Sequence, residues 1–453
     1  MKIKALLKIS LFLLLSSQAQ ATVWDDRNQW SEDFENAYAK WVQNAITPKM
    51  FTSPDSPYYG LPTDCADFVY MTRAIFAMEN SLPFVLNTQW GKESKEKISN
   101  RTRRFDEVPD LVKNIQMRDE KGQLRTVELK RPLQNGKFRA FLSALGNQVG
   151  TWSLPYDTYP IKIDRKNLRP GTIYLRQGFN RMNALQALQT FITGTPPNPN
   201  GPPGHVLLVQ DVRKTGSIDF IQSTLPKKVR ELSTIHEIEL LPTNANLGFR
   251  RFIQPQDIGK NDFSKFTGYS SEQFSELGRL PATPPNCNGE ASGPECWNQT
   301  SNQKSNRRNI TEFRKDVMKR LATQAESAQE RDERLVKTLC GFIKQRADVI
   351  LTAEITRTKY NGRCLDAGSY DELSTPSRDE QIRQLIKTMD LSDSRIRESI
   401  KNCESLKIDS SERTYSTASL IAQFAQGKYS SNPNDPISAR WGFTASTTKC
   451  RAP

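Results

Sequence analysis

The sequence predicts an α+β protein that ends in a mostly helical domain. Residues 22–275 mix short apolar runs typical of strands with runs of helical periodicity. From residue 309 onward, apolar residues recur at helical spacing through a long stretch that contains no proline. Six of the seven cysteines lie beyond residue 286, so this C-terminal part is expected to contain disulfides.

The chain begins with a segment typical of a secretory signal peptide. Three lysines precede the apolar run 9–15, and small residues lead to a predicted cleavage site after Ala21. The run is far shorter than the roughly 20 residues that a membrane span needs. We therefore expect residues 1–21 to be removed, no transmembrane segment to remain, and the mature protein to be periplasmic or secreted in a bacterial envelope.

The charge of the chain favours anionic partners. The formal net charge is +14, of which three lysines belong to the predicted signal peptide. Such an excess suits nucleic acid, acidic lipid or the acidic polymers of a cell envelope. Export makes nucleic acid the weakest of these, so the expected partner is peptidoglycan or another anionic envelope polymer. A generally solvated basic surface is the alternative interpretation.

Cys65 is the one cysteine of the first 286 residues, and the sequence places it at the start of a helix. Thr63 is a suitable N-cap, and apolar residues follow from Phe68 at helical spacing. A thiol in the first turn of a helix is expected to have a lowered pKa, and the free amides there stabilise an oxyanion. The alternative is a buried, inert cysteine.

A cysteine nucleophile needs a base, and the chain contains only two histidines. His236 lies in the plain strand-like run "STIHEIELLP", where a structural role is sufficient. His205 begins the apolar strand "HVLLVQDV" directly after a loop rich in proline and glycine, a position typical of catalytic side chains. His205 is therefore the candidate base.

The strand that follows His205 returns as "SIDFIQSTLP", with two polar residues able to orient the imidazole. With a two-residue hairpin loop, Gln222 shares a face with His205 and Asp219 does not. A bulge or a three-residue loop would reverse this, so Asp219 is kept as the alternative third residue.

The C-terminal part is separated from the rest by a segment rich in proline, asparagine, serine and glycine. Residues 276–308 are predicted to be a linker or loop, followed by a helical domain at 309–453. The six cysteines beyond residue 286 are expected to form up to three disulfides. Cys287 and Cys296 are the first expected pair because the loop between them is short.

Several of these segments resemble the NlpC-type cell-wall endopeptidases, which are papain-like cysteine peptidases. "YYGLPTDCADFVYMTRAIFAMENSLPF" is similar to the family's nucleophile segment, "LRPGTIYLR" to its Pro-Gly strand, and "GHVLLVQDV" to the strand that carries the base. "FIQS" occupies the place of the third polar residue. The chain departs from the family pattern at Ala66, Asp67 and Thr172, and the resemblance covers short segments of residues 57–224.

The resemblance implies a papain-like fold for residues 22–275, with the nucleophile helix packed on an antiparallel sheet and a long insertion at about 86–168. It makes Cys65 the nucleophile, His205 the base, Gln222 the residue that orients the imidazole, and Tyr58 a helper near the oxyanion. The expected activity is hydrolysis of amide bonds in peptidoglycan stem peptides.

Two other classes of function stay open. A transglutaminase-like enzyme or an acyltransferase would use Cys65 and His205 with Asp219 as the third residue. A non-catalytic envelope-binding or structural protein would need none of them. We expect no cofactor and no metal, because the chain has two histidines and no close cluster of metal-ligating residues.

Overall fold

The computed structural model confirms a mixed α+β fold. It describes residues 22–91, 93–118, 123–177, 203–236, 247–260, 262–275, 310–361, 363–408 and 414–450. The predicted signal peptide and the whole predicted linker at 276–308, with its cysteines at 287 and 296, lie outside these residues. Among the described residues, no helix is both long and apolar enough to cross a membrane.

The described helices fall into an N-terminal and a C-terminal group. The N-terminal helices are α1 (Glu32–Ala45), α2 (Cys65–Glu79), α3 (Gly136–Gln148), α4 (Leu154–Asp157) and α5 (Glu272–Ser275). The C-terminal helices are α6 (Ile310–Leu321), α7 (Ala328–Lys359), α8 (Ala367–Leu373), α9 (Pro376–Thr388), α10 (Ser394–Lys401), α11 (Thr417–Ala425) and α12 (Ile437–Arg440).

The strands form one large sheet and three small hairpin pairs. Their bounds are β1 (Val85–Gln89), β2 (Lys97–Ser99), β3 (Val112–Arg118), β4 (Leu124–Leu133), β5 (Thr158–Pro160), β6 (Ile173–Gln177), β7 (Pro203–Val212), β8 (Ile218–Gln222), β9 (Ser233–Ile235), β10 (Gly248–Phe252), β11 (Leu406–Lys407) and β12 (Thr414–Tyr415). The large sheet has the strand order β5-β10-β6-β7-β8-β9, and all of its neighbouring strands are antiparallel.

Strand β7 shows how the large sheet divides the core in two. Val206 and Leu208 belong to a hydrophobic cluster built around α2, while Leu207 and Val209 belong to a second cluster that contains α6 and α7. This alternation follows from the two-residue period of a strand. The C-terminal helices therefore cover the sheet face opposite α2. Their apolar side chains and those of this face form one hydrophobic cluster.

The predicted insertion at about 86–168 contributes to the sheet and also forms structure outside it. Strands β3 and β4 pair only with each other, whereas β5 pairs with β10 at one edge of the large sheet. Helix α3 packs against α2. The insertion thus supports the helix that begins at Cys65.

Two disulfides join distant parts of the C-terminal region. Cys340 is bonded to Cys403, and Cys364 to Cys450, at sequence separations of 63 and 86 residues. These bonds confirm that C-terminal cysteines pair. Among the described cysteines, Cys65 is the free one.

Candidate active site

Helix α2 begins at Cys65, and its N-cap is Asp64 rather than the expected Thr63. The Asp64 carboxylate accepts hydrogen bonds from the backbone amides of Ala66 and Asp67, at 2.9 and 3.0 Å. The Asp67 carboxylate accepts in return from the amide of Asp64, which completes a capping box. The amide of Cys65 itself lies in the first turn but outside this reciprocal cap.

The Cys65 thiol lies where α2 meets the strand that carries His205. Helix α2 packs against β7 and β8, and Cys65 is 5% exposed. The backbone amide of Val206, the residue after His205, lies close enough to the thiol to lower the pKa of Cys65. The fold therefore brings the predicted nucleophile beside the backbone of the strand that bears the predicted base. The His205 side chain shares a face of β7 with Leu207, the face that α6 and α7 cover.

His205 and Gln222 are in direct contact. The distance from His205 Nε2 to Gln222 Oε1 is 2.5 Å, and the Gln222 side chain is 2% exposed. A carboxamide oxygen accepts hydrogen bonds, so Nε2 carries the proton and Nδ1 carries the free lone pair. Gln222 thus fixes both the orientation and the tautomer of the imidazole.

The register that places Gln222 beside His205 results from two irregularities that cancel. The hairpin has a three-residue loop, closed by the hydrogen bond from the Arg213 amide to the Ser217 carbonyl, instead of the expected two-residue loop. An extra residue, Gln210, then bulges out of β7 and restores the parity. Beyond the bulge, Leu208 lies opposite Ile221, and the expected face is recovered.

Asp219, the alternative third residue, does not contact His205. Its carboxylate accepts a hydrogen bond from Nδ1 of His236 at 2.9 Å and pairs with the Arg213 guanidinium at 2.8 Å. Three positions along β8 separate it from Gln222, so it projects from the other face of the strand. The polar side chain bonded to His205 is therefore Gln222.

The position of Tyr58 contradicts the role expected for it near the oxyanion. Its hydroxyl donates a hydrogen bond of 2.7 Å to Oε1 of Glu79, the last residue of α2. Because a helix rises about 1.5 Å per residue, Glu79 lies about 21 Å along the axis from Cys65. Tyr58 therefore fastens the C-terminal end of the helix and is removed from the candidate site.

The pKa values of Cys65 and His205 do not favour the expected thiolate. Burial raises the pKa of Cys65 to about 12, the charge of Asp64 adds to the rise, and the amides of Val206 and Ala66 oppose it. Burial lowers the pKa of His205 to about 3, and the charge of Arg176 acts in the same direction. The pair is thus a neutral thiol and a neutral imidazole at neutral pH. The expectation of a lowered thiol pKa is wrong because desolvation outweighs the helix start.

Two arginines near His205 were not identified from the sequence. Arg176 on β6 is the cross-strand partner of His205. Arg378 on α9 donates a hydrogen bond from Nη2 to the Thr224 hydroxyl, two residues after Gln222. The run "LRPGTIYLR" contains Arg176, but its pairing depends on a register that no short-range pattern fixes.

The described residues contain no group of three or more His, Cys, Asp and Glu side chains that could hold a metal ion. The groups that the described residues place at this site are the thiol, the imidazole, the backbone amides and the nearby arginines. No protein-family model, no curated protein and no solved structure matches this chain.

Proposed function

We propose that this chain is an exported cysteine hydrolase, a peptidase or amidase that cleaves amide bonds of peptidoglycan stem peptides. Cys65 is the nucleophile, His205 the base and Gln222 the residue that orients the base. The observation that carries the proposal is the hydrogen bond of 2.5 Å between His205 and Gln222, on the strand whose Val206 amide lowers the pKa of the Cys65 thiol.

The protonation states support a general-base mechanism. Because both groups are neutral before reaction, Sγ attacks the amide carbonyl while the thiol proton moves to Nδ1, the ring nitrogen that Gln222 leaves free. The imidazolium then donates that proton to the leaving amine, and a thioester remains. Water, deprotonated by the same nitrogen, attacks the thioester, releases the acid and returns the proton to the thiolate.

The start of α2 supplies stabilisation for the tetrahedral intermediate. The amides of Ala66 and Asp67 are used by the Asp64 cap, and the amide of Cys65 is a first-turn donor that this cap does not use. A preorganised backbone donor of this kind typically contributes roughly 3 kcal/mol to the transition state. Tyr58 has no part in this step because its hydroxyl binds Glu79.

The substrate class rests on three sequence observations. The segments around Cys65 and His205 resemble those of peptidoglycan endopeptidases, the leader is typical of export, and the net charge of about +11 that remains without the three leader lysines suits an anionic polymer. The disulfides Cys340–Cys403 and Cys364–Cys450 are compatible with an oxidising compartment.

Digestion of purified peptidoglycan by the mature protein, with the products identified by mass, tests this proposal. We expect new amine and carboxyl ends within the stem peptides, and none with Cys65→Ser, which changes one atom at the helix start. A Cys65→Ser protein that folds normally and releases the same products would contradict the proposal. Arg101→Gln, on the exposed surface, serves as the matched control.

One observation favours a non-catalytic role. The Cys65 thiol is buried, and its pKa is raised to about 12, as expected of an inert structural cysteine. If Cys65 is such a cysteine, it resists alkylation at every pH, and replacement of His205 does not change its alkylation rate. The transglutaminase-like alternative has no such support because Asp219 is bonded to His236 and Arg213.

A further inference from the structure

The candidate base lies between two arginines. On β6, Arg176 is the direct cross-strand partner of His205. On the other side, Arg378 donates a hydrogen bond to the Thr224 hydroxyl, and its charge lowers the pKa of His205. Residues opposite each other in a sheet project from the same face. The imidazole is therefore flanked by guanidinium groups from the sheet and from α9.

Arg176 has donor capacity that the described residues do not use. Its Nε atom is buried without a hydrogen-bond partner among these residues, and the same is true of the Nε atom of Arg230. Burial lowers the pKa of Arg176 to about 10. Burial also lowers the pKa of Arg378 to about 10, and the charge of Arg230 lowers it further. Mutual repulsion of this kind marks a region with excess positive charge.

Two acidic groups of the neighbouring helices are already engaged by other cations. Asp348 on α7 forms ion pairs with Lys228 and Arg230, at 2.6 and 2.9 Å. Asp379 on α9 forms an ion pair of 2.6 Å with Arg346.

On α2, Asp64 caps the helix and Asp67 forms an ion pair of 2.9 Å with Lys227. No carboxylate contributes to the electrostatic environment of Arg176, whose acidic neighbours are Cys65 and Tyr174. Among the described residues, Arg176 is thus a cation beside the reaction centre without an anion of its own.

We propose that Arg176, assisted by Arg378, binds a carboxylate of the substrate beside the scissile amide, so that the site selects acidic peptides. This inference rests on the proposed function. A guanidinium edge binds a carboxylate through two parallel hydrogen bonds, which would use the unpartnered Nε of Arg176. The bound anion would also offset the positive field around His205 and favour the imidazolium that forms during attack.

Alkylation of the Cys65 thiol by two matched reagents tests this selectivity. Iodoacetate and iodoacetamide both form an Sγ–C bond and expel iodide, and they differ in carrying a carboxylate or a neutral amide. The rate ratio, iodoacetate over iodoacetamide, is measured by mass on the peptide that contains Cys65. The same ratio in urea-unfolded protein gives the intrinsic preference of the reagents.

We expect the ratio for the folded protein to exceed the unfolded value by about 10- to 100-fold, as for a charge-assisted hydrogen bond. In Arg176→Gln the ratio should fall close to the unfolded value, and Arg176→Lys should be intermediate. Arg101→Gln, which removes the same charge at an exposed site, should leave it unchanged. Succinate should slow iodoacetate more than iodoacetamide in the unmodified protein, a test that needs no variant.

Equal ratios in the folded and unfolded protein, or an unchanged ratio in Arg176→Gln, would overturn this inference. The proposed function is tested separately by the iodoacetamide rate alone, which must depend on His205. A His205-dependent rate without charge selectivity would refute only the anion site. A Cys65 that reacts with neither reagent, or without regard to His205, would refute both.

Discussion

Asp219 and His236 occupy opposite positions on β8 and at the end of β9, and a hydrogen bond of 2.9 Å joins Oδ1 of the aspartate to Nδ1 of the histidine. The only acidic residue on the return strand is thereby bound to His236. His205 instead donates a hydrogen bond from Nε2 to the amide oxygen of Gln222. The two histidines of the chain thus have different partners, which separates a structural pair from a candidate catalytic one.

Replacement of the two polar residues should separate these roles. Gln222→Ala should lower hydrolysis by about 10- to 100-fold, because a hydrogen bond to a charged imidazolium is worth about 1.5–3 kcal/mol. Asp219→Ala should leave the activity of the folded protein within about twofold, but lower the free energy of unfolding by about 1–3 kcal/mol. Activity assays and urea unfolding measure the two effects. The opposite ranking would make Asp219 the third residue.

Tyr58→Phe should affect stability without affecting catalysis. The variant loses the hydrogen bond from the hydroxyl to Glu79, at the end of α2 remote from Cys65. We expect a loss of about 1–2 kcal/mol in the free energy of unfolding and unchanged hydrolysis. Glu79→Gln is the matched variant, since it keeps an acceptor but removes the charge. A large loss of activity in Tyr58→Phe at unchanged stability would restore the oxyanion role.

The general features of the site could be predicted from the sequence, but its contacts depend on long-range register. Cys65 at a helix start and His205 at a strand start are local patterns, and the structure places them on neighbouring elements. The prediction that Gln222 shares a face with His205 assumes a two-residue loop, which the hairpin does not have. The two side chains still share a face because the bulge at Gln210 cancels the extra loop residue.

The predictions that differ from the structure concern side chains whose contacts lie far away in the sequence. Thr63 is also a suitable N-cap, but its hydroxyl donates to Ser223, and Asp64, the stronger capping residue, forms the cap. Tyr58 is close to Cys65 in sequence, yet its hydroxyl reaches the far end of the helix. The position of Arg176 follows from strand pairing across a long intervening segment, which no local pattern encodes.

Removal of the disulfide between Cys364 and Cys450 should destabilise the C-terminal region. The bond spans a sequence separation of 86 residues, and a loop of this length corresponds to about 4–5 kcal/mol in the chain-entropy model. The double variant Cys364→Ser/Cys450→Ser should unfold at correspondingly lower urea concentration. The pair Cys340 and Cys403 provides a matched comparison at a separation of 63 residues. Unchanged stability, or free thiols at these positions in exported protein, would contradict this expectation.

The neutral state of His205 should make stability depend on pH. Its folded pKa, about 3, lies below the unfolded value of about 6.5, so the unfolded chain binds a proton first as the pH falls. The stability that the neutral imidazole contributes is fully present above pH of about 6.5 and is lost progressively toward pH of about 3. Urea unfolding over this range should show a shallower decline in His205→Gln than in the unmodified protein. Parallel curves would show that the imidazole does not titrate in this way.

The alkylation rate of Cys65 at pH of about 6 tests the central claim most directly. A thiol with a pKa of about 12 has almost no thiolate at that pH, so rapid reaction requires a base that accepts its proton. We predict that iodoacetamide labels Cys65 at least about tenfold faster in the unmodified protein than in His205→Ala, with Gln222→Ala between them. Equal, slow labelling in all three proteins would contradict the account and identify Cys65 as a buried structural cysteine.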